Sequence, residues 1–460
     1  MMNEVPNDIV GLKALVEQLL KKIDRLENEN AELRRRLGLN SGNSDKPPSS
    51  DGYGKKSVKP GLPKAKKRTA GGQKGHQGDT LKRTEHPDYV KLHLPSQCSC
   101  CGRMFGEEDF FEVIQGRQVF DLPEPKLEVT EHRIGRISCC GRAHQGEYPA
   151  DVTAPVQYGA GVRALVAKLS VACRMPMEQI SGLFEDMYGY PLNAATIECV
   201  LQRAYELSAP IEEKIRSALL CTETVHFDET GIRAAGKLNW LHVASAEACT
   251  CLFVHQKRGT AALRSEFSIL KDFKGNAVHD CWSPYFKFDG MRHVLCGAHL
   301  LRELAGLMEK GSLWAEEMRE FLLDLYKMPH PIAAADEARM HYQVILAHAD
   351  AEEPPPQPGS RGKPKHSVGR NLLNRLKKHE EGVLAFALEE NVPFTNNQAE
   401  RDLRPAKVKQ KISGCFRTET GAKVYARLQA LVSTFRKQGL KIFASLRELF
   451  SHRPVSVCLW

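Results

Sequence analysis

The chain has 460 residues, 42 % of them apolar, and 65 Lys and Arg against 56 Asp and Glu give a net charge of +9. At ~150 residues per domain, this predicts about three domains with at least one sizeable core, which excludes a small disulfide-stapled scaffold and a wholly disordered chain. No run approaches ~18 uninterrupted apolar residues and the N-terminus lacks a signal-peptide core, so a soluble, cytoplasmic protein is expected. The positive balance favours a polyanionic partner, and the 14 cysteines read mostly as reduced core residues.

Leu12, Leu19, Leu26 and Leu33 repeat every seven residues, with Ile9, Val16, Ile23 and Asn30 in the second apolar row. These are d and a positions. Ile or Val at a with Leu at d favours a parallel two-stranded coiled coil, and a polar Asn at a fixes register. Residues 7–39 are therefore expected to form a leucine-zipper-like coiled coil that makes a homodimer or higher oligomer. Residues 40–78, rich in Gly, Pro, Ser and Lys, are expected to be a basic disordered linker. Its run Lys55, Lys56, Lys59, Lys64, Lys66, Lys67, Arg68 and Lys74 contains no acid, a pattern suited to gripping a phosphate backbone.

Residues 79–155 predict a small zinc-knuckle β domain. Cys98 and Cys101 form a C-x-x-C followed by Gly102, the tight knuckle that brings two thiolates to one tetrahedral Zn²⁺. The second pair, Cys139 and Cys140, is irregular, leaving Cys139, His144 or His132 for the fourth position. Between the pairs, 113–123 and 127–138 have strand-like composition. Residues 156–220 carry apolar residues at helical period and predict a subdomain of two or three short helices, with turns at Met175–Pro176 and Gly189–Pro191.

The period then changes. Residues 223–236, 237–249 and 250–259 are β-branched and aromatic, separated by turn residues, and predict an antiparallel meander. A helix over 261–273 and a strand ending at Asp280 are expected next. Strand, strand, strand, helix, strand is the order of an RNase H-like α/β core, in which acids on the first and fourth strands lie side by side; those positions hold Asp228 and Asp280. Residues 221–300 form the first part of this core. Residues 301–392 read as a helical insertion interrupted by a disordered loop at 352–366. Residues 393–460 supply a core helix and the C-terminal segment. In that helix Glu400, Arg404, Lys407 and Lys411 fall near one face. A plain i,i+4 ion pair would account for Glu400 and Arg404, whereas a metal-binding carboxylate followed by phosphate-binding cations is the sharper alternative.

The segments HFDET, HDCWSPY, CGAHLLREL and NNQAERDLRPAKVKQKISGCFRTETGAK, with KPPSSDGY and GGQKGHQGD upstream, closely resemble the IS66-family insertion-sequence transposases over nearly the whole chain, in order. The resemblance implies a DDE transposase of bacterial, nucleoid-associated location. It would bind the terminal inverted repeats of its own element and catalyse metal-dependent strand cleavage and transfer into target DNA, with small accessory proteins from the same element. Carried onto this chain, the metal-binding acids are Asp228, Asp280 and Glu400, with Mg²⁺ or Mn²⁺ as cofactor, while His299 and Arg302 belong to a further motif expected to position DNA. Lys55, Lys56, Lys66, Lys67, Arg68, Arg401, Arg404, Lys407 and Lys411 complete the expected DNA-binding set. Glu229, beside Asp228, ranks second because adjacent strand residues point to opposite faces. Two features depart from the family pattern: Pro405, which would kink the helix after the acid, and the ending HRPVSVCLW. A dimeric zinc-containing DNA-binding regulator without catalysis, and an RNase H-like nuclease that does not join strands, are the alternatives.

Overall fold

The computed structural model describes residues 81–356 and 366–458, with five further helical positions between 16 and 26. The expected basic linker, almost all of the coiled coil and the middle of the 352–366 loop lie outside the described residues.

Residues 81–155 contain one hairpin, β1 (Arg136–Cys139) and β2 (Arg142–Gln145), with Ile137 opposite His144. A lone antiparallel bridge joins Gln97 and Met104. The strand-like segment at 113–123 and the first part of that at 127–138 enter no ladder, correcting the expectation of a fuller β domain. Ile114, Val119 and Leu122 remain about nine-tenths exposed. Alternating composition gives a stable strand only when a second layer buries one of its faces.

Four helices follow, rather than two or three: α1 (Ala160–Ala167), running into a π-helical turn at Lys168–Ala172, α2 (Met177–Tyr188), α3 (Ala194–Leu207) and α4 (Ala209–Cys221). Gly189, at φ 70°, closes α2 in the left-handed region, and Asn193 caps α3 by accepting from the Thr196 amide at 2.7 Å.

The α/β core is a five-stranded sheet of β3 (Thr224–Ala234), β4 (Lys237–Ser245), β5 (Thr250–His255), β6 (Asn276–His279) and β7 (Arg292–Leu295). Its order is β5-β4-β3-β6-β7. The first three strands are antiparallel, while β6 runs parallel to β3 and β7 parallel to β6. Ala235 and Gly236 both have positive φ, the two-residue turn that suits a twisted hairpin. Between β5 and β6 the expected long helix shrinks to α5 (Thr260–Leu263). The chain then turns repeatedly, which lets Ile269, Leu270 and Phe273 join Val225, Phe227 and Ala277 in one apolar cluster.

Helices α6 (Gly297–Met308), α7 (Leu313–Lys327), α8 (Ala335–Glu352), α9 (Val368–Lys378) and α10 (Glu380–Leu388) build a second layer. Its cluster of Trp314, Tyr342 and Phe386 reaches Val278, Val294 and Leu295 of the sheet. The chain ends in α11 (Asn397–Ser413), α12 (Glu419–Lys437) and α13 (Ile442–Phe450). Helix α12 packs its apolar side with Leu241, Val243, Leu252 and Val254 on one sheet face, and α4 serves the other. Helix α11 stays helical on both sides of Pro405. A proline removes one backbone bond, and burial of Ala399, Leu403 and Ala406 on either side of it holds the segment in place.

Candidate active site

The β3–β6 ladder pairs Thr224 with Asn276, Val225 with Ala277 and His226 with Val278. Continued by two residues, the same offset sets Asp228 beside Asp280, and parallel register puts paired side chains on one face. The ladder stops where the acids begin. Asp280 follows the last residue of β6 and accepts from the Trp282 amide at 3.2 Å. Glu400 comes from the first turn of α11, with its side chain 27 % exposed.

Electrostatics ties the three together. Burial first, and then the negative charges of Glu229, Asp280 and Glu400, drive the Asp228 pKa well above its ordinary value. Asp228 nevertheless keeps some surface accessible. Such a concentration of carboxylates is stable as anions only with a cation among them.

Glu229 is also buried, but differently. It accepts from Arg258 at 2.7 Å and from the Tyr285 hydroxyl at 2.7 Å. Arg258 in turn lies between Trp240 and Trp282, 4.9 and 4.2 Å from their ring centres. Burial and the nearby Asp280 charge push Glu229 up to about 7, against the pull of these two partners. Its oxygens are thus engaged on the other side of the strand from Asp228.

Glu400 faces α6. Arg302 Nη2 lies 3.7 Å, and His299 Nε2 4.0 Å, from Glu400 Oε1. Burial, assisted by the Arg302 charge, pulls the His299 pKa down to about 3, so the ring is neutral near pH 7. These two residues, expected to meet DNA, are therefore turned onto the third acid. The approach needs Gly297 at the start of α6, where a Cβ would overlap the Phe394 ring. Its amide donates to Phe394 O at 2.8 Å.

Of the cations on α11, Arg401, Arg404 and Lys411 are exposed. Lys407 instead donates to the Gly231 carbonyl of β3, and burial lowers its pKa. Lys55, Lys56, Lys66, Lys67 and Arg68 lie outside the described residues.

Cys98 sits in a tight turn in which the Gly102 amide donates to its carbonyl at 2.9 Å. Cys139 ends β1 and Cys140 begins the turn to β2, their sulfurs 3.5 Å apart. Among the described residues, no three His, Cys, Asp or Glu side chains are gathered closely enough to hold a metal ion, at the cysteines or at the acids. The donor chemistry at the acids still fits a hard divalent cation: three carboxylates from separate elements, whose mutual repulsion such an ion would relieve.

Two groups escaped the reading of residues alone. Asn396 is fully buried and bonds to β3, and Asp402 forms an internal ion pair with Lys437 at 2.7 Å. Only the polar run NNQAERD hinted at either.

A model described as the transposase IS66 family matches residues 155–424, more than half of the chain. The chain belongs to the IS66 transposase family. The matched span of this IS66 transposase holds the whole five-stranded sheet and all three acids. A second model, described as a family of unknown function (DUF6444), matches residues 4–82, the region of the expected coiled coil and linker. Comparison with curated proteins returned no match. Among the described residues no helix is long and apolar enough to cross a membrane.

Proposed function

We propose that this IS66-family transposase binds the ends of its own insertion element and cuts and joins DNA there, using Asp228, Asp280 and Glu400 on an RNase H-like core. What supports the proposal is the register that sets Asp228 of β3 beside Asp280 after β6, with the charge of Glu400 on α11 also acting on Asp228, in a mixed five-stranded sheet of order β5-β4-β3-β6-β7. Asp228, Asp280 and Glu400 would hold Mg²⁺ or Mn²⁺. When bound, such ions activate the attacking oxygen and neutralise charge on the phosphate.

The protein's own groups supply the rest. Arg302 and neutral His299 orient Glu400 from α6, and Arg258 with Tyr285 keeps Glu229 away from the reacting face. Arg401, Arg404 and Lys411, exposed beyond Glu400 on α11, are suited to phosphate contacts, as are Lys55, Lys56, Lys66, Lys67 and Arg68 of the linker. Water as nucleophile nicks the element end and leaves a 3′-hydroxyl; that hydroxyl as nucleophile joins the end to a target strand. A zipper dimer would hold two ends together. In this proposal Cys98 and Cys101, with Cys139 and Cys140, would form a structural Zn²⁺ site, a reading supported by the C-x-x-C spacing followed by Gly102.

The test is a labelled duplex carrying the inverted repeat that flanks the gene, incubated with full-length protein and Mg²⁺ or Mn²⁺. Nicked and joined products are expected. Nicking without joining would indicate a nuclease, and binding without either a regulator.

A further inference from the structure

Asn396 precedes α11, where an asparagine ordinarily caps its own helix by accepting from an amide of the first turn. Here the side chain makes no such bond. It is fully buried, and its Nδ2 donates to the carbonyl of Phe227 at 2.8 Å. That carbonyl is next in line after the β3–β6 ladder ends at His226 and Val278. With Nδ2 committed, Oδ1 is left to accept from His226 Nδ1, 3.0 Å away. An amide oxygen can only accept, so His226 carries its proton on Nδ1 for this bond.

The backbone of the same residue makes two more connections. Its amide donates to Cys296 Sγ at 3.1 Å, immediately before α6, and its carbonyl receives the Glu400 amide at 3.4 Å. One residue therefore touches the strand two positions before Asp228, the entry to the helix bearing His299 and Arg302, and the turn bearing Glu400. A helix cap has been given up for a cross-link between three elements.

We propose that Asn396 is a positioning residue that sets the distance and orientation of Glu400 relative to Asp228, and thereby the affinity of the acids for a divalent ion. The inference rests on the proposed metal-binding role of those acids. An aspartate cannot substitute, since its oxygen would face the Phe227 carbonyl where a donor is required. Residues that orient ligands from outside the coordination sphere typically change metal affinity ~10–100-fold when altered.

The test titrates Mn²⁺ into the full-length protein and counts free ion by electron paramagnetic resonance, with thermal melting on the same preparations. Wild type is expected to bind Mn²⁺, and Asp228→Asn to bind far less. Asn396→Ala and Asn396→Asp should each weaken Mn²⁺ binding by about 10–100-fold, and His226→Phe, which removes only the partner of Oδ1, by less. Tyr342→Phe, which deletes a buried bond to Leu376 O within the α6–α10 layer, should lower the melting temperature without moving Mn²⁺ affinity. Wild-type affinity in folded Asn396→Ala, or in folded Asn396→Asp and His226→Phe should the alanine variant not fold, would overturn the positioning role while leaving the metal-binding acids intact. A wild type that binds no Mn²⁺ would instead remove the acids' proposed role and this inference with it.

Discussion

Arg302 reaches to within 3.7 Å of Glu400 across 98 residues of sequence, from one helical layer to another. The acid is thus held by a cation from α6 rather than by the basic run that follows it on its own helix. Arg404, one turn away and the natural partner in an isolated helix, is left exposed.

Replacing Arg302 by Met should accordingly reduce cleavage by about 10–100-fold, as loss of an outer-shell partner does. DNA affinity and its salt dependence should change little, because the guanidinium is turned inward. Parallel cleavage assays and binding isotherms over a range of salt concentrations check this; a shallower salt slope with unchanged cleavage would return Arg302 to the DNA-contact class.

Two residues beyond Glu400, Asp402 anchors α11 from behind. It accepts from Ser245, Thr250, Ser433 and Lys437, all at 2.7–2.9 Å. Burial works to raise its pKa, but the Lys437 charge and the hydrogen bonds outweigh that and hold it below the ordinary value. Lys437 is itself lowered, because its burial outweighs the attraction of the carboxylate. Lys437 also donates to Ser245, Ala246, Cys249 and Thr250, so both partners are satisfied, and removing one leaves an uncompensated buried charge on the other. Asp402→Asn should destabilise the fold by roughly 3–5 kcal/mol, read from denaturant melts, because a buried ammonium loses its counter-charge. In wild type the stabilisation from Asp402 is fully present above the unfolded value of ~3.9 and disappears as pH falls through the lower folded value. Acid melts of Asp402→Asn should lack that component; an identical acid limb in both proteins would contradict it.

Zinc content checks the cysteine pairs. Purified protein should carry about one equivalent per chain, and Cys98→Ser should lose it together with much of the folding of residues 79–155, since structural zinc contributes folding energy directly. Metal-free wild type by elemental analysis would remove the site.

Much of the core could be read from residue order. Strand period and turn residues located β3, β4 and β5, and the segment ending in Asp280 gave β6, because half-buried strands alternate and two-residue turns have their own chemistry. The short β7 went unread: Arg292–Leu295 is only four residues long. The segments around Ile114 and Val119 show the opposite failure, in which a strand-like pattern lacks a layer to pack on. Asn396 and Arg302 were opaque for a third reason. Their partners, Phe227 and Glu400, are brought in by tertiary packing, which residue order does not display; Arg302 was expected at DNA only through the family resemblance, and Asn396 carried no expectation.

Asp228, Asp280 and Glu400 are proposed to act as a unit. Asp228→Asn, Asp280→Asn and Glu400→Gln preserve size and remove the charge that would hold a divalent ion, while Glu229→Gln alters a carboxylate already engaged by Arg258 and Tyr285. The most direct measurement is cleavage and joining of a labelled element end in Mg²⁺ or Mn²⁺, paired with a binding isotherm on each variant. Each of the three substitutions should cut the rate to a hundredth or less, on the order of losing a principal electrostatic group. The triple variant should be little worse than any single one, Glu229→Gln should be far milder, and DNA affinity should be retained throughout. Wild-type cleavage by Glu400→Gln would overturn the metal-binding role and leave Glu400 as no more than the ion-pair partner of Arg302.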